Sequence, residues 1–420
     1  MKMRNSMVCI IVGLIAGNSS GADFTPIAGW DRQLFPSFIL GTAAVKAEPV
    51  ESDDTRLGDA HGLLGISITA VSDDLPIDVS VECKEFLEPS RWSGTLPAKG
   101  TTYNIYPKIK YKFDRLSQCS QATPATITFR VQVGKSNQEE VTETVTFRSI
   151  NDCPINFSDN DYTIDTSFTF ATFVNEQHPY VDKLLREALD IGVVDSFTGY
   201  QSGTEEEVYR QVYALWDLLV ARDVRYSSIT TTAADSNNIL SQHVRLLEDT
   251  INNQQANCVD GSVLMVSLLK KIGIESYLVL VPGHCYIGFY LDPSLTKTVG
   301  LETTLIGVEV DSPDETDVTL EQAVQEELRS DQSWASFAKA LAIGTEELAK
   351  CSKELSNPEQ SEYRIIDIAA ARKLGVLPIP YRSSEIFVAV DHSAYISGDT
   401  DAHDDDEEDD EEDDDEEDEE

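Results

Sequence analysis

Two hydrophobic periods share this chain, and the switch between them near Cys153 restricts its fold more than any other feature. Between residues 62 and 150, apolar side chains recur at every second position in separate runs, the period of a half-buried strand. Ile77, Val79, Val81 and Cys83 alternate with Asp78, Ser80 and Glu82, which puts Cys83 on the buried face. Ile127, Phe129, Val131 and Val133 alternate with Thr128, Arg130 and Gln132, and after a polar turn at residues 134–138 come Val141, Val145 and Phe147. That pattern predicts a hairpin. Ile109, Tyr111 and Phe113 alternate with Lys108, Lys110 and Lys112, a lysine face suited to an edge strand.

After Cys153 the period becomes helical. Val181, Leu184, Leu185, Ala188 and Leu189 mark one face of a helix that Pro179 can open and Gly192 can close. Thr204 and Glu207 form a capping pattern ahead of Val208, Val212, Leu215, Trp216 and Leu219. Apolar runs at 276–281 and 285–290, joined by Pro282-Gly283, read as neighbouring strands, and a third run follows at 299–306. Trp334, Phe337, Ala338 and Leu341 predict a further helix, and residues 363–368 a last strand before a helical stretch at 369–374. The fold class is therefore α+β. Residues 23–153 are expected to form an all-β sandwich of immunoglobulin-like shape, and residues 154–390 helices with a mostly antiparallel sheet. A chain of 420 residues should hold at least two cores.

The two ends carry other instructions. Lys2 and Arg4 precede an apolar run at residues 7–16 and then small residues, the order of a secretory signal peptide over residues 1–22. The run is shorter than the ~20 residues of a membrane-spanning helix, so export without membrane insertion is expected. Of the net charge of −42, 17 charges lie in the uninterrupted acidic run 404–420, so −25 remains elsewhere. Such a field excludes nucleic-acid binding by bulk charge. Residues 391–420 are expected to form an unstructured acidic tail, with a basic partner or cations as its possible ligands. In an exporting compartment some cysteines should pair, and Cys83, Cys119 and Cys153 are the natural group. Three cannot all pair with one another, and the sequence leaves the pairing open.

Chemistry concentrates between residues 257 and 302. Asn257 is a favoured cap for a helix carrying Val263, Leu264, Val266 and Leu268, and Asp260 can complete the cap from the first turn. Cys258 then stands at a helix N-terminus, where unpaired N–H groups and the helix dipole favour a thiolate. His284 opens a predicted strand, and Glu302 follows on the next, so that antiparallel pairing can bring imidazole and carboxylate together. A thiol, a base and an orienting acid is the set that nucleophilic acyl transfer needs. By alternation Cys285 should point to the opposite face and be packed. His178 reads as a helix-start residue, and His243 stands alone among charges. No His pair at i, i+4, no Cys-x-x-Cys and no glycine-rich phosphate loop occurs, so no metal or cofactor is expected.

At these residues the chain resembles the transglutaminase-like superfamily. Cys258 opens a helix ending in Lys271-Ile272-Gly273-Ile274, a strand follows, then Gly283-His284, then a short strand with an acid. The resemblance covers residues 177–381 at most and is sharpest over 241–307. It implies a papain-like catalytic core with Cys258 as nucleophile, His284 as general base and Glu302 where the family usually has Asp. For the oxyanion hole, the Cys258 N–H is one donor, and Gln254 or Gln255 is the candidate for the side-chain donor. The implied function is an exported enzyme cleaving or transferring the acyl group of a protein or peptide amide. Water as acceptor makes it a hydrolase, a lysine amine a cross-linker. The alternative is a scaffold that kept the fold and lost the chemistry.

Overall fold

The computed structural model describes residues 23–46, 55–159, 162–228, 236–311, 318–382 and 386–397. The expected signal peptide and the acidic run 404–420 lie outside the described residues. The architecture is mixed α and β, with five sheets among the described residues.

Alternation in the first half builds two sheets. Six strands run in the order Gln33–Leu34, Glu139–Phe147, Thr123–Val133, Leu75–Cys83, Leu87–Leu96 and Lys110–Tyr111. The predicted hairpin is its centre, with Glu139 opposite Val131 and Phe147 opposite Thr123. Ile77, Val79, Val81 and Cys83 all point inward. The lysine run shrinks to the two-residue edge strand Lys110–Tyr111, because Phe113 already begins the helix Phe113–Ser117. Four more strands form a second sheet, in which Leu64–Thr69 lies between Phe24–Ala28 and Thr102–Tyr106. The inward rows of both sheets belong to one buried cluster, which is what covers their apolar faces.

The predicted pairing among Cys83, Cys119 and Cys153 is not formed; all three are free and buried. Their local chains turn each sulfur elsewhere. Cys83 Sγ faces the Glu85 carboxylate at 3.3 Å, Cys119 Sγ the Arg148 carbonyl at 3.3 Å, and Cys153 Sγ its neighbouring Pro154 carbonyl at 3.9 Å.

In the second half the caps appear where the sequence signals them. The helix Pro179–Ile191 starts on His178 and ends on Gly192 at φ +95°, a left-handed cap that a Cβ would strain. Thr204 caps Glu205–Ala221 by accepting from the Glu207 N–H. The antiparallel sheet runs Thr298–Leu301, His284–Tyr290, Ser276–Val281, Arg364–Asp367. The helices Cys258–Lys271 and Trp334–Lys350 pack against it. The third apolar run breaks at Leu301, since Glu302 caps the 3-10 turn Thr303–Leu305 instead of continuing the strand. A further sheet, Tyr162–Asp165, Asp152–Asp159 and Ile239–His243, was not anticipated.

Most buried apolar residues of both halves join in one cluster running from Leu34 to Ile379, with two small clusters apart from it, one of Phe35, Phe157 and Ile239 and one of Tyr277, Val279 and Tyr286. The helix Pro36–Thr42 makes the bridge. Gly41 lies directly on Thr172, its carbonyl accepts from the Leu377 N–H (2.8 Å), and Ser37 Oγ donates to the Asp152 carbonyl (2.5 Å). A methyl group at Gly41 would overlap Thr172. The segment beginning at 391, expected to be unstructured, starts docked: His392 is buried and Ser393–Ser397 is a short helix. No helix among the described residues is long and apolar enough to cross a membrane.

Candidate active site

The Cys258 helix is fixed at its start by two reciprocal caps. Asn257 Oδ1 accepts from the Val259 (2.9 Å) and Asp260 (2.8 Å) N–H groups, while Asp260 Oδ2 accepts from the Asn257 N–H (3.0 Å). Such a box satisfies donors that the first turn would otherwise leave unpaired. Asp260 is buried, and burial pushes its carboxyl up; the Asn257 and Arg245 N–H groups and the Arg245 guanidinium, at 2.6 Å, oppose that shift. Behind the cap, Val263, Leu264, Met265, Val266, Leu268 and Leu269 are all buried, so the helix cannot rotate without exposing apolar surface. Cys258 is its first residue and stays partly open to solvent.

His284 comes from the facing sheet. Gly283, at φ +73°, makes the tight turn that sets Val281 opposite His284. The imidazole lies nearly parallel to the Tyr286 ring, with centroids 6.1 Å apart. Its Nε2 is 2.6 Å from Glu302 Oε2, and Cys258 is the first cause raising the imidazole, so the thiol lies close to the ring. Cys258, His284 and Glu302 are thus brought together, with the imidazole hydrogen-bonded to the carboxylate and beside the thiol. The bonds to Cys258 and then Glu302 push the imidazole up to about 10, outweighing burial, so the proton is held strongly between two acidic partners. Burial pushes the Glu302 carboxyl up, but the His284 and Thr304 bonds dominate and hold it below the usual range.

Glu302 is positioned by backbone contact rather than by its own side chain alone. Its N–H donates to the Ala340 carbonyl (3.0 Å) in the Trp334 helix, and Gly300 lies directly against Gly344 of that helix. A Cβ at Gly344 would meet Leu301 N at 2.5 Å and Gly300 C at 2.6 Å, so the strand and helix touch at a distance only glycine permits. On its other flank, Thr303 Oγ1 pairs with Ser262 Oγ (3.0 Å) on the Cys258 helix. Oε1 of Glu302 accepts from both the N–H (3.0 Å) and Oγ1 (2.6 Å) of Thr304. These fixed contacts take up the extra methylene that distinguishes Glu from Asp.

The two glutamine candidates lie differently. Gln254 donates its Nε2 to the Arg222 carbonyl (2.7 Å), so this amide is committed to the chain rather than turned to Cys258. Gln255 begins the two-residue strand Gln255–Ala256, exposed and paired in parallel with Arg225–Tyr226. That pairing brings in a residue the sequence did not point to. Tyr226 is exposed, and its phenol is pushed up by burial of part of the ring and then by Cys258 and Glu302, so it stands within electrostatic reach of both. A two-residue strand has no period to read, which is why Tyr226 was missed.

The remaining polar residues fall where expected. Cys285 is buried on the other face of its strand, where burial first and Cys258 second push its thiol well up, against a Ser262 bond. His178 caps its helix through Nδ1 and meets Glu248 Oε2 at 3.1 Å through Nε2. His243 Nδ1 lies 3.6 Å from Asp152 Oδ1. No cluster of three or more His, Cys, Asp or Glu among the described residues is arranged to hold a metal ion.

No protein-family model matches this chain, and no curated protein matches it. Among solved structures, it is similar to the crystal structure of a “Putative Cysteine Protease” from Cytophaga hutchinsonii. The two are 13% identical, the alignment covers 57% of this chain and 75% of that one, and the TM-score is 0.21, too low for any argument to rest on it.

Proposed function

We propose that this chain is an exported, transglutaminase-like enzyme that cleaves or transfers an amide acyl group through a thioester at Cys258. The observation that carries the reading is the placing of His284, hydrogen-bonded to Glu302, beside Cys258 at the start of a capped helix. In the proposed cycle, the thiolate of a Cys258–His284 ion pair attacks the amide carbonyl carbon. The Cys258 N–H, aided by the Tyr226 phenol, takes the oxyanion. The imidazolium gives its proton to the leaving amine, and the C–N bond breaks to leave the thioester. Water or a primary amine then attacks the thioester carbonyl, losing its proton to His284, and the C–S bond breaks to free the acid or the new amide and restore the Cys258–His284 ion pair. Glu302 holds Nε2–H so that Nδ1 faces the sulfur. The β-rich half, as an immunoglobulin-like module, would carry no chemistry.

A test needs only a simple acyl donor. Incubation with an activated peptide ester, followed by intact-mass measurement, should give an acyl adduct that maps to Cys258 and disappears with turnover. Adding a fluorescent primary amine separates the two acceptors, since labelled product marks transfer and its absence with free acid marks hydrolysis. No adduct under any of these conditions would favour the scaffold reading.

A further inference from the structure

The last described segment, residues 386–397, packs against Arg222 and Asn252, which precede the two short strands beside the candidate site. Phe387 packs edge-on against Tyr180, with ring centroids 4.9 Å apart, and the Arg222 guanidinium lies over its other contact face at 4.9 Å. Arg222 Nη2 donates to the Val388 carbonyl (2.7 Å), and Nη1 donates to Glu187 (2.5 Å), which His392 Nε2 also meets at 3.1 Å. Tyr395 donates its hydroxyl to Asp217 (2.5 Å). Asn252 brackets the same segment, with Nδ2 donating to the Ile386 carbonyl (3.0 Å) and Oδ1 accepting from the Val388 N–H (3.2 Å).

Arg222 and Asn252 are the residues from which the two short site strands depart. Arg222 precedes Arg225–Tyr226, and Asn252 ends the helix Leu247–Asn252 just before Gln255–Ala256 and Cys258. Between them stands Gln254, whose φ of +54° is a left-handed conformation that a non-glycine residue keeps only when its surroundings over-determine it. Three hydrogen bonds supply those surroundings. Its Nε2 bonds to the Arg222 carbonyl, its own carbonyl accepts from the Arg225 N–H (2.9 Å), and the Ala256 carbonyl accepts from the Ser227 N–H (2.8 Å).

We propose that residues 386–397 are a latch that holds the two strands carrying Tyr226 and leading into Cys258 in register, so that undocking this segment slows the thiol. Asn252, Arg222 and Gln254 are then positioning residues, acting through the strand pair and touching no substrate. The reactivity readout rests on the reading of Cys258 as a nucleophile; the structural readout does not.

The experiment compares the full chain with a stop after Ser397 and a stop after Arg382. Alkylation of Cys258 by iodoacetamide should stay within about twofold for the first, since only the terminal run is lost. For the second, the rate near neutral pH should fall roughly ten- to hundredfold, the scale of a small misplacement of a reacting group, and the profile should move to higher pH. A synthetic peptide of residues 383–397 should restore it. Hydrogen exchange at the Arg225 and Ser227 amides reports the latch without thiol chemistry, and their protection should drop in the shorter chain. Should that chain not fold, Asn252→Ala removes its two bonds to the segment, at Ile386 and Val388, within the full chain, with the same two readouts. Gln254→Gly relieves the positive φ yet should slow Cys258, which a merely stabilising role would not predict. Unchanged amide protection in a folded latch variant overturns the proposal. A slow Cys258 in the full chain, with protection still latch-dependent, instead overturns the catalytic reading alone.

Discussion

Cys83, Cys119 and Cys153 in the β-rich half are sealed in the core, where burial is the first cause pushing their thiols up; Cys258 in the second half stands half-buried at a capped helix start, close to an imidazole. Both kinds of site are built from apolar strands and helices. The difference is that the strands of the first half present only packing to their cysteines, whereas those of the second deliver a base and an acid to one sulfur. Burial alone makes a thiol inert, and a partner network makes it a nucleophile.

The largest effect should come from removing the partner. With any acyl donor that forms the Cys258 adduct, His284→Ala should lower turnover by about 10⁴-fold or more, as for other catalytic units of this type, while the chain stays folded. The same change made at the buried His178 should instead destabilise the fold, since it would leave Glu248 with one partner fewer.

Glu302→Gln should follow closely. Oε1 of residue 302 is committed to two Thr304 donors, so a glutamine would keep its oxygen there and turn its NH₂ toward His284 Nε2. That nitrogen must then accept, which moves the ring proton to Nδ1, the side facing sulfur. A loss of roughly 10²- to 10⁴-fold in turnover is expected for this wrong tautomer, read as kcat against KM.

Gly344→Ala should act at a distance. The new methyl would meet backbone atoms of Gly300 and Leu301, which cannot move aside as a side chain would. Overpacking of this kind costs about 1–3 kcal/mol in denaturant unfolding, and displacement of Glu302 should lower turnover along with it. A variant with unchanged stability and turnover would show that the strand is not held by this contact.

The smallest effect is on pH. His284 is raised in the folded chain to about 10, so its contribution to stability is fully present below its unfolded value of ~6.5 and is lost as pH rises toward 10. Denaturation midpoints should therefore decline across that window, and His284→Ala should flatten the decline. An equal slope in both proteins would place the cause elsewhere.

Where structure is set locally, the sequence announces it. His178, Thr204 and the Asn257–Asp260 pair cap their helices through neighbours two to three residues away, and alternation placed Cys285 among the buried residues. The His284–Glu302 pair was legible because ladder pairing couples neighbouring strands. Tyr226 and the true bonding of Gln254 were not, since both depend on a two-residue parallel pairing and on Arg222, 32 residues away. The disulfide expectation came from a compartment, not from geometry, and the sulfurs point apart. Docking of residues 386–397 rests on scattered contacts at Ile386, Phe387, Val388, His392 and Tyr395, which follow no period.

The most direct test of a Cys258–His284 pair is the pH profile of iodoacetamide alkylation, resolved by peptide mapping. Modification should concentrate on Cys258, remain fast down to about pH 6, and leave Cys83, Cys119 and Cys153 unmodified until the chain is unfolded. In His284→Ala the Cys258 profile should move up toward that of an ordinary thiol, near ~8.5. If Cys258 reacts at an ordinary thiol's rate at every pH, and His284→Ala leaves the profile where it was, the pair is not a catalytic dyad.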